Sequence, residues 1–321
     1  MTYSNLLLIL VTVGLTTITA LLTWGLLSRR LPTSYRIAVV GFPKSGKTTL
    51  ITAVFAYLFR HGVRGASIVP RGDETIKRIN SNMEQLELGR PIGPTKDQDV
   101  FAYRADIKIR SAFFLRHYKL EIGDFPGEDT LALSEHYGDW LHETRYFEWA
   151  ISSDAFLFVV DVGQILLDET GEYVARQKRA LRAAWQRLEE HHFDSDRDIK
   201  TKPLILVFTK ADLLLERQHG VALEELAFGS KRQSRFFITQ DDEIESTTRD
   251  ILFHFSDLID YFRRENRRFS FVFASVFVDL EGERLGVPTI ARYIMPRPSL
   301  WPTTQTDSDG ERPTRLSHRS Y

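Results

Sequence analysis

Cysteine is absent from all 321 residues, so disulfide bonds, thiolate metal sites and thiol catalysis are excluded. An excess of charge of one sign is also lacking, because 42 Lys and Arg side chains oppose 43 Asp and Glu side chains. The formal net charge of -1 does not suggest the basic surface that nucleic acids bind, and we expect no nucleic-acid partner. The cysteine-free composition is compatible with a reducing compartment.

Charged residues are missing from the stretch Leu6 to Leu27. An uncharged stretch of this length can cross the roughly 30 Å hydrocarbon core of a bilayer as a helix, and we interpret residues 1–30 as a single-pass membrane anchor. A cleaved signal peptide is the alternative, but a basic n-region and a small-residue cleavage site are both lacking. Because Arg29 and Arg30 follow the stretch directly, the positive-inside rule predicts an external N-terminus and a cytoplasmic C-terminal domain.

Residues 31–295 alternate between apolar runs and amphipathic stretches, as expected for one α/β domain. Runs typical of buried strands are Arg36–Val40, Ala155–Val160, Leu204–Phe208 and Phe269–Ala274. An antiparallel hairpin is predicted from Val100–Arg110 and Phe113–Ile122. Helices are predicted at Thr48–Arg60, Asp73–Leu88, Glu128–Ile151, Glu172–Glu190 and Arg249–Arg264. Residues 296–321 are rich in Pro, Ser, Thr, Asp and Arg, which predicts a disordered polar tail.

The segment from Gly41 to Thr48 reads G-F-P-K-S-G-K-T and matches the pattern G-x-x-x-x-G-K-[ST]. It lies between a predicted strand and a predicted helix, which is the context of a phosphate-binding loop. Backbone N–H groups at a helix N-terminus can surround a phosphate chain. Lys47 would bridge the β- and γ-phosphates, and the hydroxyl of Thr48 would bind Mg²⁺. The nucleotide contacts expected here are Gly41, Pro43, Lys44, Ser45, Gly46, Lys47, Thr48 and Thr49.

A second motif, D-F-P-G, begins at Asp124 directly after an extended segment and ends at Gly127. An aspartate at a strand end can reach Mg²⁺ through water, and the glycine N–H can contact a γ-phosphate. The loop could therefore sense whether that phosphate is present.

A third motif, T-K-A-D, occupies Thr209 to Asp212 at the end of a predicted strand. The carboxylate of Asp212 can accept hydrogen bonds from the guanine N1–H and 2-amino groups, while the stem of Lys210 packs over the ring. Adenine offers no such pair of donors. After the last predicted strand, Ser275 and Val276 are candidates for the backbone contact to the guanine O6.

These motifs, in this order, resemble the TRAFAC-class GTPases, which include the Ras-like switches, over about Tyr35 to Val276. With its predicted anchor the layout is similar to the signal-recognition-particle receptor beta subunit, and the motif details resemble bacterial double-GTPase domains. The resemblance implies a three-layer P-loop NTPase fold with a mostly parallel sheet of six strands and one antiparallel hairpin. Mg²⁺ and GTP or GDP would bind at the carboxyl ends of the strands.

The resemblance also implies a switch I threonine, and we assign Thr95 as the ligand of Mg²⁺ and the γ-phosphate. Thr75 is the alternative, and an ordinary loop residue is the competing interpretation of Thr95. Glu128 stands where many relatives carry a glutamine that orients the attacking water. A carboxylate cannot donate to the γ-phosphate and its charge opposes that phosphate, so slow hydrolysis is predicted. Alternatively, Glu128 stabilises a helix N-terminus.

Pro43 is the third residue of the phosphate loop, where it donates no N–H and its ring would project toward the γ-phosphate. A partner's arginine would find little room there, which suggests that Arg90 acts in cis instead.

The sequence thus predicts a membrane-anchored GTPase with Lys47, Glu128 and Thr95 as catalytic residues and Thr48, Asp124 and Thr95 as metal ligands. We expect a nucleotide-dependent switch that engages protein partners at the cytoplasmic face of a membrane. The double-GTPase resemblance favours the bacterial inner membrane, and an endoplasmic-reticulum anchor is the alternative. The alternatives are an ATPase that shares only the phosphate loop and a GTP-bound scaffold that does not hydrolyse its nucleotide.

Overall fold

The computed structural model describes residues 3–27, 33–63, 66–88, 90, 92–93, 101–110, 115–124, 149–192, 199–216, 242–277, 279–280 and 283–296. The strands of the main sheet are β1 (Thr33–Gly41), β2 (Ala66–Pro70), β3 (Phe101–Arg110), β4 (Leu115–Asp124), β5 (Ala155–Asp161), β6 (Leu204–Thr209) and β7 (Phe269–Phe273). A short hairpin follows, formed by β8 (Asp279–Leu280) and β9 (Glu283–Arg284).

The helices, also numbered along the chain, are α1 (Tyr3–Leu27), α2 (Lys47–His61), α3 (Asp73–Glu87), α4 (Val162–Leu166), α5 (Glu172–Glu190), α6 (Leu213–Glu216), α7 (Asp242–His254), α8 (Ser256–Glu265) and α9 (Val287–Ile294). A 3₁₀ turn at Ile199–Thr201 precedes β6. The predicted helix α5 is confirmed with its bounds, whereas the helix predicted at Arg249–Arg264 is two helices, α7 and α8. Most of the helix predicted at Glu128–Ile151, and all of the predicted tail after Pro296, lie outside the described residues.

The main sheet has seven strands in the order β2-β3-β4-β1-β5-β6-β7. Strand β1 pairs in parallel with β4 and β5, and β5-β6 and β6-β7 are parallel as well. Strands β3 and β4 form the predicted antiparallel hairpin. The carboxyl ends of β1, β4, β5, β6 and β7 therefore meet at one edge of the sheet, where ligands bind in folds of this kind.

The prediction of six strands was wrong, because β2 adds a seventh strand antiparallel to β3. This edge strand has only 5 residues and ends at Pro70. Ala66 and Ile68 are buried while Ser67 and Val69 are exposed. A pattern this short carries little signal, and proline at the end of a strand is typical of a sheet edge.

Helices cover both faces of the sheet and give the three layers that were predicted. On one face, Trp185 of α5 makes edge-to-face contacts with Phe158 and Phe262. On the other face, α2 packs through residues such as Phe55 against Tyr103 of β3. Every residue of β5 and β6 is buried, as expected for central strands covered on both sides.

Helix α9 closes the second face by packing on α2. Its side chains Val287, Ile290, Ala291 and Ile294 are buried in the same cluster as the apolar face of α2. The carbonyl of Ile294 accepts a hydrogen bond of 2.6 Å from the hydroxyl of Tyr35 in β1. The last described helix is thus joined to the first strand of the domain.

The N-terminal helix α1 is 25 residues long. Hydroxyls of Thr16, Thr17, Thr19 and Thr23 donate to carbonyls of the preceding turn of the same helix. Across the part of the chain that the structure describes, no helix has the length and apolar character required to cross a membrane, so the predicted span is unconfirmed.

Candidate nucleotide site

The phosphate loop connects β1 to α2, as the motif predicted. Two of its residues have left-handed backbone conformations, Lys44 with φ 62° and Gly46 with φ 83°. The ammonium of Lys47 is buried and donates to the carbonyls of Gly41 (2.8 Å) and Phe42 (3.0 Å). The loop therefore curls around the side chain that begins helix α2, and Thr49 lies partly buried in the first turn of this helix.

Gly41 allows the loop to approach the neighbouring strand closely. A Cβ at this position would lie 2.9 Å from the carbonyl oxygen of Val159 and 3.0 Å from Oγ of Ser45. The hydroxyl of Ser45 is itself buried, and it finds no hydrogen-bond partner within the described residues. A buried donor without a partner is costly, so this hydroxyl fits a site whose ligand supplies oxygen acceptors, as a phosphate does.

Thr48 and Asp124, the predicted metal ligands, lie side by side. The hydroxyl of Thr48 donates to Oδ1 of Asp124 over 3.0 Å, because β4 and β1 are parallel neighbours that end together. The carboxylate of Asp124 is fully buried. Within the described ranges, no group of three His, Cys, Asp or Glu side chains could hold a metal ion by itself. One carboxylate plus one hydroxyl fits Mg²⁺, which commonly completes its coordination with waters and substrate phosphates.

The predicted base-binding motif is joined directly to the phosphate loop. The hydroxyl of Thr209 donates to the carbonyl of Ser45 (2.7 Å) and shares a second contact with the carbonyl of Val160 (3.0 Å). Lys47 and Asp212 therefore belong to loops that are in contact, at the carboxyl ends of β1 and β6.

Asp212 lies next to the loop that follows the last strand of the main sheet. Its Oδ1 accepts a hydrogen bond of 2.6 Å from the hydroxyl of Ser275, and the N–H of Ala211 donates to the carbonyl of Ala274. Val276 is partly buried against the apolar cluster on the α2 face of the sheet. The predicted base contacts at Asp212, Ser275 and Val276 are thus brought to one place.

Three predicted site residues, Thr95, Gly127 and Glu128, lie outside the described residues. Thr75, the alternative switch I threonine, is buried on α3, and its hydroxyl accepts from the N–H of Arg104 at 3.4 Å. Arg90 follows α3 with an exposed side chain, while its N–H donates to the carbonyl of Gln85.

Asp161, the last residue of β5, is a residue of this site that was not predicted from the sequence. Its Oδ2 lies 2.5 Å from the ammonium of Lys210, whose backbone is left-handed with φ 58°. The other oxygen, Oδ1, accepts from the N–H of Gln164 and caps α4. The ion pair fixes the lysine that was predicted to pack over the base. An aspartate that ends a wholly buried strand beside the T-K-A-D strand was the available signal.

Arg78, on α3, is a second residue of this site that was not predicted from the sequence. One of its guanidinium nitrogens, Nη2, lies 3.7 Å from Oδ2 of Asp124. No motif marks this arginine, because its partner is distant in the sequence.

Aromatic packing supports the phosphate loop from the side of α5. The ring of Phe42 meets Tyr173 edge to face with centroids 6.3 Å apart, and the guanidinium of Arg176 lies 5.4 Å from the centre of the Phe42 ring. Burial raises the pKa of Tyr173 to about 12, although a hydrogen bond from Gln177 opposes this. The phenol is therefore neutral at physiological pH and adds no charge beside the loop.

No protein-family model matches the chain. It is similar to the Ras-like GTPase YcjX of Escherichia coli (strain K12), with 31% identity over 143 residues, covering 36% of this chain and 31% of that protein. The chain thus spans about a third of the length of this curated relative.

Among solved structures, the chain is similar to the Roco2 RocCORdC protein of Methanosarcina barkeri bound to GDP, with 13% identity and a TM-score of 0.33, covering 81% of this chain and 47% of that one. It is also similar to the small GTPase Arl6 of Trypanosoma brucei with bound GppNp, with 14% identity and a TM-score of 0.35, covering 81% of this chain and 98% of that one. The similarity to YcjX agrees with the phosphate-loop and T-K-A-D motifs, which the hydrogen bond from Thr209 to Ser45 joins in this structure.

Proposed function

We propose that this protein binds Mg²⁺-GTP, hydrolyses it slowly to GDP and acts as a nucleotide-dependent switch. The observation that carries the proposal is the hydrogen bond from Thr209 to Ser45, which joins a phosphate loop to a T-K-A-D motif. A single purine nucleotide can then contact Lys47 with its phosphates and Asp212 with its base. Similarity to a Ras-like GTPase over 143 residues supports the same activity.

At the phosphate end, the backbone N–H groups of the loop would hold the phosphate chain, and Ser45 would donate its buried hydroxyl. Lys47 would exchange loop carbonyls for phosphate oxygens. Thr48 and Asp124 would bind Mg²⁺, the hydroxyl directly and the carboxylate through water. Held there, Mg²⁺ would neutralise the charge that develops on the phosphates during transfer.

At the base end, Asp212 would select guanine. Ser275 occupies only Oδ1 of this carboxylate, so Oδ2 has no hydrogen-bond partner within the described part of the chain. Asp161 holds the ammonium of Lys210, which leaves the stem of that lysine to pack over the base. We infer that Glu128 limits the rate of hydrolysis and that Thr95 completes the metal site.

The substitution Asp212→Asn tests the proposal on the full-length chain, purified in a mild detergent. Losing a carboxylate that accepts two hydrogen bonds should weaken GTP binding by about 100-fold. The asparagine amide can donate to the 2-oxo group of xanthine, so xanthosine nucleotides should gain affinity. Asp257→Asn is the matched control, because Asp257 lies on the surface and pairs with Lys178.

The titration is made with GTP, ATP and xanthosine triphosphate, followed by turnover measurements. Unchanged GTP affinity in the Asp212 variant would remove guanine specificity from the proposal. If the wild type binds ATP more tightly than GTP, the protein is an ATPase. If it binds GTP but does not turn it over, the protein is a scaffold.

Membrane attachment is also a proposal, and it rests on the sequence. Leu6 to Leu27 carries no charge, and apolar side chains of α1 such as Leu15 and Leu21 are exposed. Because Arg29 and Arg30 follow this stretch, the domain would lie on the cytoplasmic face of a membrane. The bacterial inner membrane is favoured. Protein partners would bind the switch loops there. Recovery of the full-length protein in the supernatant after alkaline carbonate extraction would reject the anchor.

A further inference from the structure

Helix α3 is inserted between α2 and the hairpin, and one of its faces points at the candidate metal site. The buried or partly buried residues of this face recur with helical spacing at Thr75, Arg78, Ile79, Asn82 and Leu86. Polar side chains are thus mixed with the apolar ones on the docked face. Since buried polar groups need partners, the contacts of this face decide how α3 is held.

Asn82 attaches the centre of α3 to the nucleotide-binding core. Its amide nitrogen lies 3.2 Å from the hydroxyl of Thr52 in α2 and 3.1 Å from the hydroxyl of Tyr103 in β3. The two hydroxyls are themselves 3.3 Å apart. This small buried network links α3 to the helix that starts at the phosphate loop.

One turn before Asn82, Arg78 faces Asp124. The two oxygens of this carboxylate have different neighbours, because Oδ1 accepts from Thr48 at 3.0 Å while Oδ2 lies 3.7 Å from the guanidinium of Arg78. The side chain of Asp124 is fully buried, whereas that of Arg78 is 27% exposed. A buried carboxylate is costly unless an opposite charge compensates it, and Arg78 supplies that charge.

The charges of Asp124 and Arg78 also act on the pKa of Tyr103. Burial raises its pKa, the negative charge of Asp124 raises it further, and Arg78 lowers it. Helix α3 thus contacts the predicted metal ligand Asp124 through Arg78, and it contacts Tyr103 through Asn82.

We infer that Arg78 is a positioning residue that balances the charge of Asp124 in the nucleotide-free protein and withdraws when Mg²⁺ arrives. The inference rests on the proposed function, since it takes Asp124 as a ligand of Mg²⁺. A divalent ion and a guanidinium on the same carboxylate repel each other strongly in a partly buried site. The exposed part of Arg78 gives its guanidinium a path to solvent, or toward the phosphate groups of the nucleotide.

Helix α3 would then respond to the metal. With Mg²⁺ bound, it keeps the Asn82 network but loses the ion pair one turn earlier, so its N-terminal half is held less firmly. The element that responds to bound metal would then be α3, through Arg78. Arg90, which was expected to act in cis, lies beyond the end of this helix.

Thermal melting of the full-length chain in detergent tests the first half of the inference. Arg78→Gln should lower the melting temperature of the nucleotide-free protein by about 3 to 6 °C, since it removes the positive charge that lies 3.7 Å from the buried carboxylate of Asp124. With Mg²⁺ and GDP bound, the difference from wild type should disappear. Arg71→Gln is the matched control, because Arg71 forms an ion pair with Asp106 at 3.6 Å between half-exposed side chains. Arg78 variants destabilised equally in both states would overturn the inference.

The magnesium dependence of nucleotide retention tests the second half. With N-methylanthraniloyl-GDP as the fluorescent probe, Arg78→Gln should lower the half-maximal Mg²⁺ concentration by about threefold to tenfold, because a competing positive charge is removed. Arg78→Lys, which keeps the charge, should remain within about twofold of wild type. A higher or unchanged Mg²⁺ requirement in Arg78→Gln would refute the competition between arginine and metal.

The two proposals fail in different ways. A wild-type protein that retains no guanine nucleotide at any Mg²⁺ concentration would reject the proposed function. Normal Mg²⁺-dependent retention that is the same in wild type and Arg78→Gln would reject the role of Arg78 alone. An Arg78→Gln protein that stays unfolded even with Mg²⁺ and GDP would also contradict the inference, which requires the loaded state to be rescued.

Discussion

The link between Thr209 and the phosphate loop predicts a specific defect in Thr209→Val. Valine has nearly the same shape but no hydroxyl, so the carbonyls of Ser45 and Val160 both lose the donor that they share. Thr209 is buried. Losing one net hydrogen bond and leaving a buried acceptor unpaired costs about 2 kcal/mol. For a domain of this size, that corresponds to a melting temperature lower by about 4 to 8 °C.

The same loss should weaken nucleotide binding, since the phosphate loop is no longer tied to the base motif. If the whole of about 2 kcal/mol is expressed in binding, the affinity for GDP falls by about 30-fold. Thr209→Ser retains the hydroxyl and serves as the control, with both properties close to wild type. Melting curves and equilibrium titration with fluorescent GDP measure the two effects. A valine variant that melts and binds like wild type would show that the two motifs are not mechanically joined.

Gly41→Ala should destabilise the protein by about 1 to 3 kcal/mol and weaken nucleotide binding, because its Cβ would lie 2.9 Å from the carbonyl oxygen of Val159. Gly93→Ala is the control, and it should melt like wild type because the new methyl group has open space around it. Because burial raises the pKa of Tyr173 to about 12, its contribution to stability is complete below about pH 10 and is lost as the pH rises toward 12. Denaturant unfolding across this range should show a shallower decline in Tyr173→Phe, and equal slopes would contradict the assigned pKa.

The parts of the fold that the sequence predicted well are those with strong local signals. Helix α5 follows from an amphipathic pattern in which Val174, Leu181 and Leu188 share the buried face, and it begins directly after Gly171. Lys47 and Asp212 were expected at one edge of the sheet because parallel strands present their carboxyl ends together, and the structure places both residues at that edge.

The missed features depend on contacts between distant parts of the chain. Arg78 is an ordinary helical arginine in the sequence, and only the docking of α3 brings it to Asp124. Strand β2 is too short for a periodic pattern, and it is a strand because β3 offers it a free edge. Asp161 acquires its role through Lys210, which lies on another strand end. Helix α9 was predictable in part, since Gly286 precedes it and Pro288 lies in its first turn.

The position of α9 has a consequence for how the protein is made. The apolar side of α2 is synthesised early, but residues that cover it, such as Ile290 and Ile294, are synthesised only after all seven strands of the main sheet. Until then the hydrophobic surface of α2 that α9 will cover is exposed on the growing chain, and chaperones recognise surfaces of this kind. Prematurely terminated chains that stop before Val287 should therefore be captured by chaperones or degraded, even though every nucleotide-binding motif has already been translated.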